Sequence, residues 1–294
     1  MAHSDPRRRL GRRQVLRSGL VAMLLLRTPL VHVAMASPAP ERPRPGDPPD
    51  KPAPSGITVR PDDPGITTGM VEYPGLIGPL LGYLTAPTRA EVYPGVLVLH
   101  DAQGLTEHFK DIARRLAKAG FVALAPDLAS RAGGTDRLAD PAKVASALAE
   151  IGPGQYLQDL NASVRYLEAR PLVAKTRIGA IGFGLGGNVI WLILTANHDV
   201  KAAVSVSGSI PSDRVAPNLD AAVLTIYGEN DQRDSEGITE FENAMKTAGL
   251  PFTVKLEPKA GRDFFNDTTA RYVPAAAKDA WGLTLDWFAQ HLKA

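Results

Sequence analysis

Short apolar segments of strand length alternate with amphipathic segments of helix length from residue 56 to the end of the chain. Residues 95–100 are almost continuously apolar, which is typical of a strand buried on both faces of a parallel sheet. Residues 108–119 follow with apolar side chains at helical spacing, and Gly120 ends that segment. Strands that alternate with helices in this way predict an α/β fold with one doubly wound, mostly parallel sheet flanked by helices.

The same pattern predicts the remaining elements of this domain. An early hairpin is expected between residues 70–73 and a strand that closes at residues 83–84. Further strands are predicted at 121–125, 177–182, 202–206, 222–227 and 252–256, and further helices at about 141–150, 155–169, 187–196, 238–248 and 274–293. No linker or internal repeat interrupts this order, so residues 56–294 are predicted to form one domain.

The N-terminal 36 residues have the features of a twin-arginine export signal. Arg12 and Arg13 form the arginine pair, residues 18–33 are moderately apolar, and Ala-Met-Ala at 34–36 fits an A-x-A cleavage site. Arg27 interrupts the apolar stretch, so we expect no membrane span. The signal predicts a mature protein that is periplasmic or secreted, and the alternative is a disordered basic tail.

A proline-rich segment separates this signal from the domain. Residues 37–55 contain eight prolines. Proline lacks a backbone N–H donor and favours extended conformations, so the segment is predicted to be a disordered or stiff tether. The chain is therefore predicted to divide into a signal at 1–36, a tether at 37–55 and a domain at 56–294.

Charge and cysteine content exclude several classes of function. The chain has 33 basic and 31 acidic residues, but seven of the arginines and only one acid lie in the N-terminal 36 residues. The domain itself is thus acidic, and we expect no nucleic-acid partner. The chain has no cysteine, which excludes disulfides, thiolate metal sites and a thiol nucleophile. No cluster with metal-ligand spacing is present, so no metal is expected.

A glycine-rich segment, residues 182–187, fits the spacing of a G-x-G-x-x-G dinucleotide loop. It lies in the middle of the domain after several strands, and no acidic residue stands about 20 positions on, near Ala203, to bind a ribose. We therefore expect no dinucleotide and no other cofactor.

Six segments follow one another through the whole domain in a recognisable order and spacing: 94–101, 113–117, 125–128, 182–187, 227–231 and 261–267. Together they resemble the dienelactone hydrolase family of the α/β-hydrolase fold. The resemblance implies hydrolysis of an ester or lactone by three residues. These are a nucleophile on a G-x-[CS]-x-G elbow, an aspartate after a later strand and a histidine in a loop near the C-terminal end.

The resemblance also implies that two of these three positions have changed. Gly184 stands at the nucleophile position of the elbow, and glycine has no side chain to attack with. Arg262 stands where the histidine belongs, and a guanidinium stays protonated and cannot act as a base near neutral pH. Asp231 matches the aspartate of the family and is retained. The sequence therefore predicts that hydrolysis has been lost.

An anion-binding geometry is predicted to survive these changes. In this fold the oxyanion donors are backbone N–H groups, here those of Leu185 and Ala102, and a helix N-terminus favours negative charge. Asp101, which matches an acidic position near the nucleophile of some family members, and His100 are further candidates for the pocket. We expect a pseudoenzyme that binds a small carboxylate, ester or lactone.

Two alternatives remain open from the sequence. The chain is either an active hydrolase with a non-standard site around Asp231, Asp101 or His100, or a structural scaffold. No relocated nucleophile or base is predicted, because the remaining candidates lack the elbow motif or lie on helices: Ser207, Ser209, His108, His198 and His291.

Overall fold

A computed structural model describes residues 58–231 and 235–292. The predicted signal at 1–36 and tether at 37–55 lie outside the described residues. Within the described ranges, no helix is long and apolar enough to cross a membrane.

The described residues form eight strands and seven α-helices, with the helices interspersed among the strands after an initial hairpin. The strands are β1 (Ile66–Pro74), β2 (Pro79–Pro87), β3 (Tyr93–Leu99), β4 (Val122–Pro126), β5 (Val173–Phe183), β6 (Val200–Val206), β7 (Ala222–Gly228) and β8 (Phe252–Glu257). The helices are α1 (Glu107–Lys118), α2 (Thr135–Leu138), α3 (Pro141–Ala149), α4 (Pro153–Glu168), α5 (Leu185–Ala196), α6 (Ser235–Thr247) and α7 (Pro274–Leu292).

The strands form one sheet in the order β1-β2-β4-β3-β5-β6-β7-β8. The first two strands make the expected hairpin, in which Met70 pairs with Tyr83, and β2 runs antiparallel to β4. All later pairings are parallel. The prediction of a mostly parallel, doubly wound α/β sheet is therefore confirmed.

Helices cover both faces of the sheet. A Cβ on Gly179 in β5 would touch Leu292 and Phe288 of α7, whereas one on Gly95 in β3 would touch Leu167 of α4. Helix α1 packs on the same face as α7, where its buried side chains join a core that includes Phe121 and Phe288. Helix α5 packs beside α4 on the opposite face. The central strands are buried on both sides, as their continuous apolar sequences predict.

Most boundaries lie one to four residues from the predicted positions, and two of these shifts have a clear structural cause. Strand β5 begins at Val173 rather than 177, because its first residues pair with Tyr93 and Pro94 before the register shifts at the Pro94–Gly95 step. Helix α5 begins at Leu185 rather than 187, since the single residue Gly184 completes the turn between strand and helix.

The strand order reverses at β3, because β4 lies on one side of it and β5 on the other. In open α/β sheets, ligands bind outside the carboxyl ends of the strands at such a switch point. Strands β3, β5, β6 and β7 all end at this edge of the sheet. Asp101, Gly184, Ser207 and Asp231, which follow these strands within three residues, are therefore placed along one edge.

Candidate functional site

The turn from β5 to α5 has the shape of a nucleophile elbow. Its middle residue, Gly184, has φ 49° and ψ −107° and directly precedes the helix. The flanking glycines are required by contact: a Cβ on Gly182 would lie 2.3 Å from the Gly186 carbonyl oxygen, and one on Gly186 would lie 2.1 Å from the Leu99 carbonyl oxygen. Strand and helix thus approach too closely for any larger residue at 182 or 186.

Gly184 itself is not required by lack of space. A Cβ at this position would meet a single neighbour, the Cβ of Asp101 at 3.5 Å, which is an ordinary van der Waals distance. The backbone conformation is costly for an L-residue, by about 1–3 kcal/mol at a strained functional position, and glycine avoids that cost. The elbow therefore keeps room for a nucleophilic side chain but does not carry one.

Asp101 lies on the loop after β3, opposite the elbow. Its Oδ1 accepts a hydrogen bond of 2.8 Å from the backbone N–H of Gln103, which orients the carboxyl group. Burial raises the pKa of this carboxyl, and the negative charge of Asp263 raises it further. The Gln103 hydrogen bond and the His100 and His108 rings lower the pKa, but burial outweighs them. Asp101 is the acidic side chain that the structure places next to the nucleophile position.

The two predicted oxyanion donors flank the same turn. Leu185 is the first residue of α5, and Ala102 follows Asp101 in the loop. Among the described residues, neither of their backbone N–H groups donates to a protein acceptor. Backbone N–H groups in this position provide the oxyanion hole in α/β-hydrolases.

His100, a predicted pocket candidate, is not among the residues that line the cavity with Asp231 and Arg262, and its contacts are with backbone groups. Its ring is fully buried. Nδ1 donates to the carbonyl oxygen of Asp101 at 2.7 Å, and Nε2 accepts from the backbone N–H of Leu128 at 2.9 Å. Both ring nitrogens are therefore engaged in fixing the loop that carries Asp101.

Asp231 and Arg262 line one cavity of about 380 Å³ beside the elbow. Asp231 follows β7 and Arg262 follows β8, so neighbouring strands bring the two triad positions together. Gly184, Leu185, Asp101 and Ala102 do not line this cavity. Its other lining residues are Ser207, Gly208, Ser209, Ile210, Pro211, Ser212, Asp213, Tyr227, Gly237, Ile238 and Glu240. A larger cavity, of about 570 Å³, lies near β2 and α2 and contains none of the predicted site residues.

A buried histidine–aspartate pair near the elbow was not predicted as such. Nδ1 of His108 donates to Asp267 Oδ1 at 2.8 Å, and Arg115 donates to the other oxygen of Asp267 at 3.0 Å. The His108 ring packs edge-on against Phe183, the residue before Gly184. The pair joins α1 to the loop that carries Arg262. The 159-residue separation of His108 and Asp267 gave no local signal for this contact.

No group of three or more histidine, aspartate or glutamate side chains is arranged to hold a metal ion within the part of the chain that the structure describes.

The family model of the "Dienelactone hydrolase family" matches residues 80–292, which spans β2 to α7. This chain belongs to the dienelactone hydrolase family. A protein of Methylorubrum extorquens named "Putative carboxymethylenebutenolidase" is 32% identical to it over 82% of this chain and 87% of its own length. A Bradyrhizobium protein named "Probable 2-oxo-3-(5-oxofuran-2-ylidene)propanoate lactonase" is 31% identical over 72% of this chain and 90% of its own length.

Solved structures of dienelactone hydrolases have the same fold. A "Putative Dienelactone Hydrolase" from Klebsiella pneumoniae superposes with a TM-score of 0.70 and 28% identity, over 77% of this chain and 99% of that one. The α/β-hydrolase fold predicted from the sequence is thereby confirmed. As a dienelactone hydrolase family member, this chain combines the elbow turn of that fold with a glycine at its centre.

Proposed function

We propose that this protein has lost ester and lactone hydrolysis and acts as a pseudoenzyme that binds a small carboxylate, ester or lactone. The observation that carries the proposal is the elbow. Gly184 has the backbone conformation of a nucleophile residue and room for a side chain, yet offers no atom that can attack. The names of the relatives support esters and lactones as the chemical class of the ligand.

The position of Arg262 supports the same conclusion. The triad needs a base that takes a proton from the nucleophile and returns it to the leaving group. A guanidinium remains protonated, so Arg262 cannot perform either step. It supplies instead a permanent cation that faces the cavity shared with Asp231. The Leu185 and Ala102 N–H groups provide a second, backbone-based site for negative charge.

A second candidate function follows from the contact between Asp101 and the elbow. With no side chain on Gly184, Asp101 is the acidic residue whose side chain contacts this position, through its Cβ at 3.5 Å from a Cβ on Gly184. A carboxylate there can activate a water as a general base, and a raised pKa suits that task near neutral pH. This alternative is an active hydrolase. It predicts turnover by the native chain that Asp101→Asn abolishes.

Restoring both lost positions tests the proposal. Four forms of the full chain are assayed against p-nitrophenyl acetate and a dienelactone: native, Gly184→Ser, Arg262→His and the double variant. We expect hydrolysis above background only in the double variant, because a serine nucleophile needs a histidine base, which Asp231 then orients. Adding Asp231→Asn to the double variant is the matched control and is expected to lower the restored rate at least tenfold, since loss of the aspartate from a fully evolved triad costs about 10⁴-fold.

Enzymatic turnover by the native chain would contradict the proposal. Loss of that turnover in Asp101→Asn would then assign the activity to Asp101. Loss in Asp231→Asn would instead assign the activity to the cavity that Asp231 and Arg262 line.

Export through the twin-arginine pathway is part of the same proposal, and it is supported by the sequence of residues 1–36 alone. The expected outcome is periplasmic or secreted protein that starts after Ala36. Replacing Arg12 and Arg13 by lysine should retain the precursor in the cytoplasm. Unchanged cell fractionation after that replacement would show that these arginines do not act as the signal.

A further inference from the structure

Ser207 is a strained residue with an unsatisfied hydroxyl. Its φ is 53°, in the left-handed region that a serine rarely adopts. The side chain is 6% exposed, and its Oγ has no hydrogen-bond partner among the described residues. Both features cost free energy in the folded protein, and the hydroxyl forms no hydrogen bond with the described residues that would offset this cost. Such a combination is expected at a position kept for a ligand.

The position of Ser207 places it between the elbow and the Asp231 loop. Strand β6 ends at Val206, which pairs with Phe183 and accepts a hydrogen bond of 2.9 Å from the Gly184 N–H. On the other side, the Ser207 N–H donates to Ile226 of β7 at 2.9 Å. Ser207 is therefore the neighbour of Gly184 at the carboxyl edge of the sheet, and it lines the cavity that contains Asp231 and Arg262.

The loop that carries Ser207 is held rigidly by helix α5. Asn188 Oδ1 accepts from the backbone N–H of Ser209 at 2.6 Å, and Trp191 Nε1 donates to the Ser209 carbonyl oxygen at 3.0 Å. Gly208, the next residue, also packs directly against the Gly187 backbone. The hydroxyl is thus presented by a fixed backbone, as a binding group requires.

Arg262 presents a charge to the same cavity. Its guanidinium makes no hydrogen bond or ion pair within residues 58–231 and 235–292, and it lines the cavity wall. Guanidinium groups bind carboxylates in a bidentate manner. No histidine, the base that usually activates a serine nucleophile, is among the described residues that line this cavity. We therefore assign the Ser207 hydroxyl a hydrogen-bonding role.

We propose that Ser207 and Arg262 form a subsite for a small hydroxycarboxylate, the open-chain form of a lactone, with the carboxylate on Arg262 and the hydroxyl on Ser207. This inference rests on the proposed non-hydrolytic function and names its ligand. A cavity of about 380 Å³ is large enough for a ligand of this size. An unsubstituted lactone has neither a carboxylate nor a free hydroxyl to match these two groups, and a lactone that carries a carboxylate still lacks the hydroxyl, so the open form is preferred.

Three probes with the same four-carbon skeleton test the preference: 4-hydroxybutanoate, butanoate and γ-butyrolactone. Binding to the full chain is followed by ligand-observed NMR, which also records any opening of the lactone ring. We expect 4-hydroxybutanoate to bind about fivefold more tightly than butanoate, the effect of one added hydrogen bond, and more tightly still than the lactone. Equal affinity for the three probes would overturn the proposal.

Serine variants separate binding from folding. Ser207→Ala and Ser207→Gly should both remove the preference for 4-hydroxybutanoate over butanoate. Neither should lower stability, because the hydroxyl makes no hydrogen bond with the described residues, and glycine also removes the strain of the positive φ. Ser205→Ala is the matched control, since Ser205 is buried on the same strand and donates to the Gly187 carbonyl oxygen at 3.2 Å. It should lower stability and keep the preference.

Retention of the preference in both Ser207 variants would assign the hydroxyl to a purely structural role and overturn the subsite. Opening of the lactone by the native chain would contradict the proposed non-hydrolytic function instead. The comparison of the two open-chain probes, which cannot be hydrolysed, would still decide whether Ser207 binds the ligand.

Discussion

Gly184 and Asp101 face each other across the elbow, with 3.5 Å between the Cβ of Asp101 and the position of a Cβ on Gly184. The side chain of Asp101 therefore borders the space that a nucleophile would occupy. The neighbouring glycines have no such space, because their Cβ atoms would collide with backbone. The three glycines of this turn are therefore required for different reasons. Gly182 and Gly186 are required by close packing, whereas Gly184 is required only by its backbone conformation.

The first prediction concerns this difference. Gly184→Ala should lower the free energy of unfolding by about 1–2 kcal/mol, because only the cost of a positive φ is added. Gly186→Ala should lower it by more than about 3 kcal/mol, since its Cβ would lie 2.1 Å from the Leu99 carbonyl oxygen and force strand and helix apart. Urea denaturation of both variants measures the two values. Equal losses would show that the elbow is not packed as described.

The second prediction concerns the pH dependence caused by Asp101. Its pKa is raised above 3.8 by burial, so the fold disfavours the charged form. The native chain should therefore lose stability relative to Asp101→Asn as the pH rises from about 4 through the raised pKa. The asparagine keeps an oxygen that can accept from the Gln103 N–H. Denaturation curves of both chains between pH 4 and 7 provide the measurement, and a constant difference would contradict it.

Local sequence signals were sufficient for the sheet and for the elbow. The apolar runs of the strands and the spacing of the elbow glycines are both visible within short stretches of sequence. The hairpin, β5 and α5 could therefore be located to within a few positions. Asp101 and Gly184 also lie at strand ends, which meet at one edge in a parallel sheet. Their neighbourhood could therefore be predicted without knowledge of side-chain contacts.

The buried hydrogen bonds of His100 and the strained conformation of Ser207 could not be predicted in this way. His100 accepts a hydrogen bond from the Leu128 amide, which is 28 residues away in the sequence. The position of His100 directly after β3 is equally compatible with a residue that lines a pocket and with one that only fixes a loop. Ser207 was set aside because it lacks the elbow motif. Its positive φ and its unsatisfied hydroxyl are properties of the folded loop, which no spacing of residue types records.

The third prediction concerns the pair formed by His108 and Asp267. Burial is the largest influence on the Asp267 pKa and raises it, but the hydrogen bonds and charges of His108 and Arg115 outweigh it and leave the pKa below 3.8. A lowered pKa contributes stability above pH 4 that is lost as the pH falls through the folded-state value.

Asp267→Asn should accordingly lower the free energy of unfolding at pH 7 by about 3 kcal/mol, because Arg115 and His108 lose a buried charged partner. The difference from the native chain should shrink below pH 4. Asp213→Asn, an exposed change on another loop, is the control and should alter stability by less than about 0.5 kcal/mol. A loss that does not depend on pH would show that the carboxylate charge is not what holds the pair.

The fourth prediction tests His100 as the residue that fixes the Asp101 loop. His100→Ala removes a fully buried ring and both of its backbone hydrogen bonds, so the free energy of unfolding should fall by about 3 kcal/mol. The Leu128 amide, which donates to Nε2 at 2.9 Å, should exchange its hydrogen faster than in the native chain. His198→Ala, at an exposed position, is the matched control and should change neither quantity. An unchanged rate of hydrogen exchange at the Leu128 amide would show that the His100 ring does not link the Asp101 loop to the loop that carries Leu128.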